Sequence, residues 1–179
     1  MDDVNIRLAV ATDLPRLMGL DHTSTSDYVW QLDLRKESGQ VLAGFREVRL
    51  PRAVPVTYPR DPFALADEWA KRSATLIALA GDIPVGYTCL LEHSQATTVW
   101  VTDLVVDAGS RRQGVGSILL NAAQVWASSR SAQDIFVEMS SKNYPAIRLV
   151  QKFGFEFCGY NDHYYVTKDV ALFFGRSLL

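Results

Sequence analysis

Residues Leu104 to Leu120 read Leu-Val-Val-Asp-Ala-Gly-Ser-Arg-Arg-Gln-Gly-Val-Gly-Ser-Ile-Leu-Leu. An apolar strand ends, the chain turns through small residues, two arginines and two glycines follow, and an amphipathic stretch begins. The pattern predicts a strand, a tight loop and a helix N-terminus. The first N–H groups of a helix have no partner inside it, and the helix dipole adds partial positive charge there. Phosphate groups suit such a place. Gly114 and Gly116 keep a Cβ out of the way of an approaching ligand. Two nucleotide motifs are excluded by inspection. A triphosphate loop needs a Lys directly after its last Gly, and here no Lys follows a Gly: Val115 follows Gly114 and Ser117 follows Gly116. A dinucleotide fingerprint needs a third Gly, and counting from Gly114 that position is Leu119.

A second segment, Asn143 to Phe155, reads Asn-Tyr-Pro-Ala-Ile-Arg-Leu-Val-Gln-Lys-Phe-Gly-Phe. Pro145 suits a first helical turn. Ala146, Leu149, Val150 and Phe153 fall on one apolar face, and Gly154 supplies a stop. Arg111-x-x-Gly114-x-Gly116 after a Val-Val-Asp strand end closely resembles the pyrophosphate loop of the GNAT acyltransferase superfamily. The Asn143 to Phe155 segment resembles the second signature of the same superfamily. The resemblance covers residues 74–174, and the first 70 or so match only loosely. The tail Asp169 to Phe174 faintly resembles the corresponding part of streptothricin acetyltransferases.

Composition sets bounds. The 179 residues are 48% hydrophobic and 21% charged, which suits one domain with an ordinary core. A net charge of −2 gives no basic field for nucleic acid or an anionic membrane. The start, Met-Asp-Asp, carries acid where a signal peptide needs base, and no apolar run approaches the ~20 residues of a membrane span. A cytoplasmic protein with no membrane or nucleic-acid partner is expected. Cys89 and Cys158 form no metal or redox spacing and read as reduced core thiols. With three scattered histidines, no metal site is expected.

Along the chain, Ile6 to Val10 reads as a strand, and Leu14, Leu17 and Met18 as one face of a short helix capped at Thr12-Asp13. Residues 21–40 read as loop or broken helix. Val41 to Leu50 reads as a strand carrying Arg46 and Arg49. The stretch Pro51 to Pro62 is extended or turning, because proline lacks a donor and restricts its predecessor. A helix over Ala64 to Lys71 follows. Strands are expected at Ala74–Ala80, Val85–Glu92 and Thr98–Val106, the first two joined at Gly81-Asp82. A helix over Gly116–Ser128 presents Ile118, Leu119, Ala122, Val125 and Trp126 as its stripe. Strands at Asp134–Met139, Phe155–Tyr160 and within Tyr164–Phe174 complete the order. The class is α/β (α+β), a mixed and mostly antiparallel sheet with helices on both faces. The resemblance adds a GNAT-type central splay. One domain over 1–179 is expected, with 1–73 on the acceptor side and 74–174 as the cofactor-binding core.

The resemblance implies acetyl-coenzyme A as donor and a primary amine, on a small molecule or a peptide, as acceptor. Leu104, Val105 and Val106 would offer backbone groups to the pantetheine arm, and the Val106 N–H would polarise the thioester carbonyl. Arg111, Arg112, Gln113, Gly114, Val115, Gly116 and Ser117 would wrap the pyrophosphate, with Arg111 or Arg112 adding a charged contact. Asn143 would bond the pantetheine amide, in competition with a plain helix-cap role, and Ala146 and Val150 would line the site. A lysine-like amine with pKa ~10.4 is free in only about one molecule in 10³ at neutral pH, so a base is needed. Asp103 and Glu92 are the candidates, acting directly or through water.

The family's usual Tyr, four residues after the signature Ala, is Val150 here, so the general acid is unassigned among Tyr144, Tyr164 and Tyr165. A thiol of pKa about 8.5 can also leave as the anion. The acceptor pocket is expected from His22 to Trp30 and the proline-rich stretch. Asp21, Asp27 and Asp33 suit a cationic amine there, whereas Arg46, Arg49, Arg52 and Arg60 suit an acidic acceptor. Neither cysteine falls in a signature, which favours direct transfer over an acetyl-enzyme. A coenzyme A sensor without chemistry is the alternative, and a homodimer is left open.

Overall fold

The computed structural model describes residues 4–93 and 97–179. Its strands are β1 (Val4–Leu8), β2 (Ser24–Glu37), β3 (Gln40–Val56), β4 (Ala74–Ala80), β5 (Ile83–His93), β6 (Thr98–Val106), β7 (Asp134–Ser140), β8 (Glu156–Asn161) and β9 (Ala171–Ser177). Its helices are α1 (Leu14–Met18), α2 (Leu65–Glu68), α3 (Val115–Ser129) and α4 (Tyr144–Lys152). Seven strands form one sheet in the order β1-β4-β5-β6-β7-β9-β8, and β2 and β3 form a separate ribbon. Every neighbouring pair is antiparallel except β6 and β7.

Side-chain alternation assigns the two faces. Val99 and Val101 of β6 and Ile135, Val137 and Met139 of β7 meet Leu120, Ala123 and Ala127 of α3 and Ile147 and Val150 of α4. On the opposite face, Ile77, Tyr87, Cys89 and Val105 pack under Leu14 and Leu17 of α1 and Leu65 of α2. The α3 stripe is rotated from the expected one. Val115, Leu119, Leu120, Ala123 and Ala127 are buried, whereas Val125 is exposed. Outside the polar stripe of Ser117, Asn121, Gln124 and Ser128 the apolar arc is too broad for its period to fix the phase. The small Ala123 and Ala127 face the sheet because they allow the closer approach.

Residues 24–37, expected as loop or broken helix, are a strand. Trp30, Leu32 and Leu34 alternate with Gln31, Asp33 and Arg35, and the ribbon turns at Ser38-Gly39 into β3. Trp30 and Phe45 pair ring to ring with Phe157, Phe174 and Tyr160 at centroid distances of 5.2–5.9 Å, which seats the ribbon on the body. The Trp30 backbone N–H donates to the Ser141 carbonyl at 2.9 Å. The proline-rich stretch is extended as expected, forming the end of β3, and Ala64 to Lys71 is a series of short helical turns. Cys89 is buried, but Cys158 is exposed on edge strand β8, so only one of the two thiols lies in the core.

Candidate active site

The β6–β7 pairing starts at Thr98↔Asp134 and stops at Val101↔Val137. Both strands continue beyond that point without pairing to each other, so the sheet splays open. The β5–β6 register slips at the same level, Leu90 pairing Val101 and Cys89 pairing Asp103, with Thr102 as the extra residue of a bulge. Bulges bend the strand that carries them, and this one turns the second half of β6 away from β7. The Asp107 N–H donates to Val85 of β5 at 3.0 Å. Backbone groups alternate in direction along a strand, so the N–H groups of Leu104 and Val106 point away from β5, toward the gap. The Val106 carbonyl accepts from Arg111 Nε at 2.9 Å.

The loop after β6 is held from within. Asp107 accepts from the N–H groups of Gly109 and Asp21 at 3.2 and 3.1 Å. Arg111 Nη2 donates to the Asp21 carbonyl at 2.6 Å, so this guanidinium braces the loop, whereas Arg112 is exposed. Gln113 Nε2 donates to the Gly109 carbonyl at 3.0 Å. Gly114 is the α3 N-cap with φ of 90°, a conformation costly for residues with a Cβ. The Ile118 N–H is bonded to Gly114, which leaves those of Val115, Gly116 and Ser117 as the first-turn donors. A Cβ at Gly116 would lie 3.2 Å from Leu149 Cδ2, so this glycine also lets α3 approach α4. Asn143 Oδ1 caps α4 by accepting from the Ala146 N–H at 3.3 Å, leaving its NH₂ as the group able to donate elsewhere. Val150 is fully buried in the core under α4.

The splay encloses a charged cluster. Asp103 and Glu138 are buried, with side chains 5% and 1% exposed. Arg60, from the proline-rich stretch, bridges them. Its guanidinium pairs with Glu138 Oε1, donates to the Thr102 carbonyl at 2.8 Å, and lies 3.4 Å from Asp103 Oδ1. It also sits over the Tyr165 ring, 5.5 Å from the centroid. The Tyr58 hydroxyl donates to Asp103 Oδ1, Thr102 Oγ1 donates to Oδ2 at 2.9 Å, and Arg72 lies 3.7 Å from Oδ2. The Tyr164 hydroxyl donates to Glu138 Oε2 at 2.6 Å. Burial raises the pKa values of the Tyr58, Tyr87 and Tyr165 phenols well above their ordinary range, so all three are neutral. A cavity of about 180 Å³ opens beside the cluster, lined among others by Trp100, Thr102, Glu138, Tyr164 and Phe173.

Asp103, Leu104 and Val106 therefore meet at the splay, next to the α3 N-terminus. Glu92 does not join them. It pairs with Val99, at the closed end of β6, and bonds Arg130 Nε at 3.2 Å, one residue past the C-terminus of α3. That places it roughly 20 Å from the loop, the length of a 15-residue helix. Asp27, Asp33, Arg46, Arg49 and Arg52 lie on the ribbon, and of the arginines considered for the acceptor side only Arg60 enters the cluster. Tyr144 stacks on Tyr28 at 4.9 Å, beside the ribbon. Sequence reading missed Glu138 and Tyr58. A lone acid inside the apolar run Ile135–Met139 was the available signal for Glu138, and Tyr58 carried none.

Comparison with known proteins bears on this arrangement. The model of the acetyltransferase (GNAT) family matches residues 42–155. Streptothricin acetyltransferase of Streptomyces lavendulae is 27% identical over 164 residues, covering 89% of this chain and 85% of the relative. Nourseothricin acetyltransferase superimposes with a TM-score of 0.82 at 24% identity, covering 98% of this chain and 99% of the other. A Bacillus anthracis protein described as a streptothricin acetyltransferase, solved with acetyl coenzyme A, gives 0.73 at 21% identity over 98% and 99%. The two structures establish a shared fold.

Proposed function

This chain belongs to the GNAT family of acetyltransferases, and on that premise we propose that it carries acetyl from acetyl-coenzyme A to a primary amine by direct attack in a ternary complex. The observation that carries this reading is the continuity of the site. First-turn N–H groups at Val115, Gly116 and Ser117 lead past Leu104 and Val106 into a gap that ends on two buried carboxylates. Acetyl-coenzyme A supplies an activated thioester, and the residues present fit it. The α3 N-terminus, with Gln113, Gly114 and the exposed Arg112, would take the pyrophosphate. Arg111 would hold the loop in shape. Leu104, Val105 and Val106 would flank the pantetheine arm, together with Ala146 and the NH₂ of Asn143. The Val106 N–H is the oxyanion donor in this reading.

Asp103 is the proposed base, since it lies beside the gap, while Glu92 is at the far end of β6. Glu138 lies across the gap from Asp103, and Arg60 pairs with both carboxylates. Trp100, Tyr164 and Phe173 give the neighbouring cavity the aromatic walls that favour a cation. A cationic amine is therefore the acceptor class, and streptothricin, named in the S. lavendulae relative, is the first compound to try. No thiolate supports an acetyl-enzyme. Burial pushes the Cys89 thiol up to about 12, and the exposed Cys158 is also raised by partial desolvation. With Val150 in the core, the leaving thiol departs as the anion. Val150 also favours the second reading, a coenzyme A-binding module without chemistry.

Thiol release from acetyl-coenzyme A across a panel of amines tests the proposal. Turnover with cationic amines is expected, falling at least about tenfold in Asp103→Asn with unchanged affinity for acetyl-coenzyme A. Tight binding without release for any amine would establish the binding module instead.

A further inference from the structure

On one face of the sheet, α1 and α2 pack over β4, β5 and the end of β6. The longer helices α3 and α4 pack on the other face. The first face therefore continues over β7, β9 and β8 beyond its helices. Strand register fixes what it presents, because residues paired across strands share a side, as do residues two apart along a strand. One rung runs Leu91, Trp100, Phe136, Gly175, Glu156. The next rung toward the splay holds Glu138, Phe173 and Gly159. The next rung away from it holds His93, Thr98, Asp134 and Ser177.

Trp100 stacks on Phe136 at 4.9 Å, and Phe173 meets Trp100 edge-on at 5.5 Å. Gly175 makes room for this, since a Cβ there would lie 2.7 Å from Phe136 Cε1. The three rings are half-buried and belong to none of the buried clusters. The cavity of about 180 Å³ opens on these rungs, with Trp100, Phe173 and Glu138 in its wall. The fixed charges on the face have one sign. Glu156 is exposed and Asp134 half-buried, and neither pairs with a cation among the described residues. No lysine or arginine stands on the three rungs, and Arg60 reaches them only at Glu138.

We propose that this face is a second subsite for the acceptor, holding a further cationic group of the same molecule. It rests on the acetyl-transfer reading, because the cavity links the face to the reacting amine. Glu156 stands two residues along and two strands across from Glu138, and Asp134 four residues along. Both are therefore about 12–13 Å from Glu138. A cation bound there lies beside the faces of Trp100 and Phe136, whose quadrupoles attract it. The acceptor class is accordingly an amine with a second ammonium or guanidinium at the far end of a chain that crosses these rings.

The test uses the full chain with acetyl-coenzyme A and α,ω-diaminoalkanes from diaminobutane to diaminododecane, each beside the 1-aminoalkane of equal length. The long diamines should have KM values about tenfold below those of their monoamine partners, and the short ones should not. Glu156→Gln and Asp134→Asn should each raise KM for the long diamines about twofold to fivefold. Both should leave 1-aminobutane and acetyl-coenzyme A unaffected. Added salt should shrink the advantage of the diamines. Independently of turnover, a long diamine should change the tryptophan fluorescence of the parent but not of Trp100→Phe. Equal KM values for diamine and monoamine at every length, or KM unmoved in both carboxylate variants, would overturn the subsite. Absence of turnover with every amine would count against acetyl transfer instead. The fluorescence titration would then decide the subsite alone: weaker binding in the doubly substituted Asp134→Asn, Glu156→Gln protein supports it, and equal affinity overturns it.

Discussion

Arg60→Met tests the idea that one guanidinium holds the open sheet together. Arg60 is 27% exposed and spans two carboxylates that are 5% and 1% exposed, one on each side of the splay. Removing one partner of a buried ion pair typically costs ~3–5 kcal/mol, because the other charge stays behind unpaired. Two features reduce the figure here. Arg60 is partly solvated, and Arg72 still faces Asp103 from 3.7 Å. About 2–3 kcal/mol is the expected loss. For a chain of this length that corresponds to a Tm lower by roughly 4–12 °C.

Thermal melts at pH 7 followed by circular dichroism measure the deficit of Arg60→Met. A Tm within about 2 °C of the parent would refute this account of the splay.

Other consequences follow from single groups. Gly114→Arg places a side chain on a backbone with φ of 90° at the start of α3, and calorimetry should show affinity for acetyl-coenzyme A reduced at least about tenfold; unchanged affinity would contradict the loop assignment. Cys158 should react with a disulfide reagent in the native protein, whereas the buried Cys89, its thiol pushed up to about 12, should react only on unfolding. Asp13 is held down to about 2, chiefly by its hydrogen bond from Arg7. Its contribution is present above the ordinary carboxylate range and is lost as pH falls from about 4 toward 2. Asp13→Asn should accordingly flatten the acid limb of the stability curve, and an acid limb identical to the parent's would remove Asp13 from the account.

The regular core was legible because its local signals agree with one another. Strand β6 ends where Val-Val-Asp gives way to small residues, and α4 runs between a cap and a Gly stop. The ribbon was misread although its signals were present, the alternation of Trp30, Leu32 and Leu34 and the turn at Ser38-Gly39. Polar flanks and aromatics obscured them. The phase of α3 was not legible, since a helix whose apolar arc covers all but the Ser117, Asn121, Gln124 and Ser128 side takes its orientation from the sheet it meets. Within the site, the strand–loop–helix geometry could be read from the small residues and glycines that follow Val106. The partnership of Asp103 with Tyr58, Arg60 and Glu138 joins residues up to 80 positions apart, and only the sheet order brings them together.

The most direct test of the central claim is the initial rate of coenzyme A thiol release with acetyl-coenzyme A and streptothricin, in the unmodified chain and in Asp103→Asn. The account predicts saturable release dependent on the amine, mass spectrometry showing one acetyl added to the acceptor, and a rate at least about tenfold lower in the variant. Saturable binding of acetyl-coenzyme A with no release, for streptothricin and for every other cationic amine tried, would contradict it.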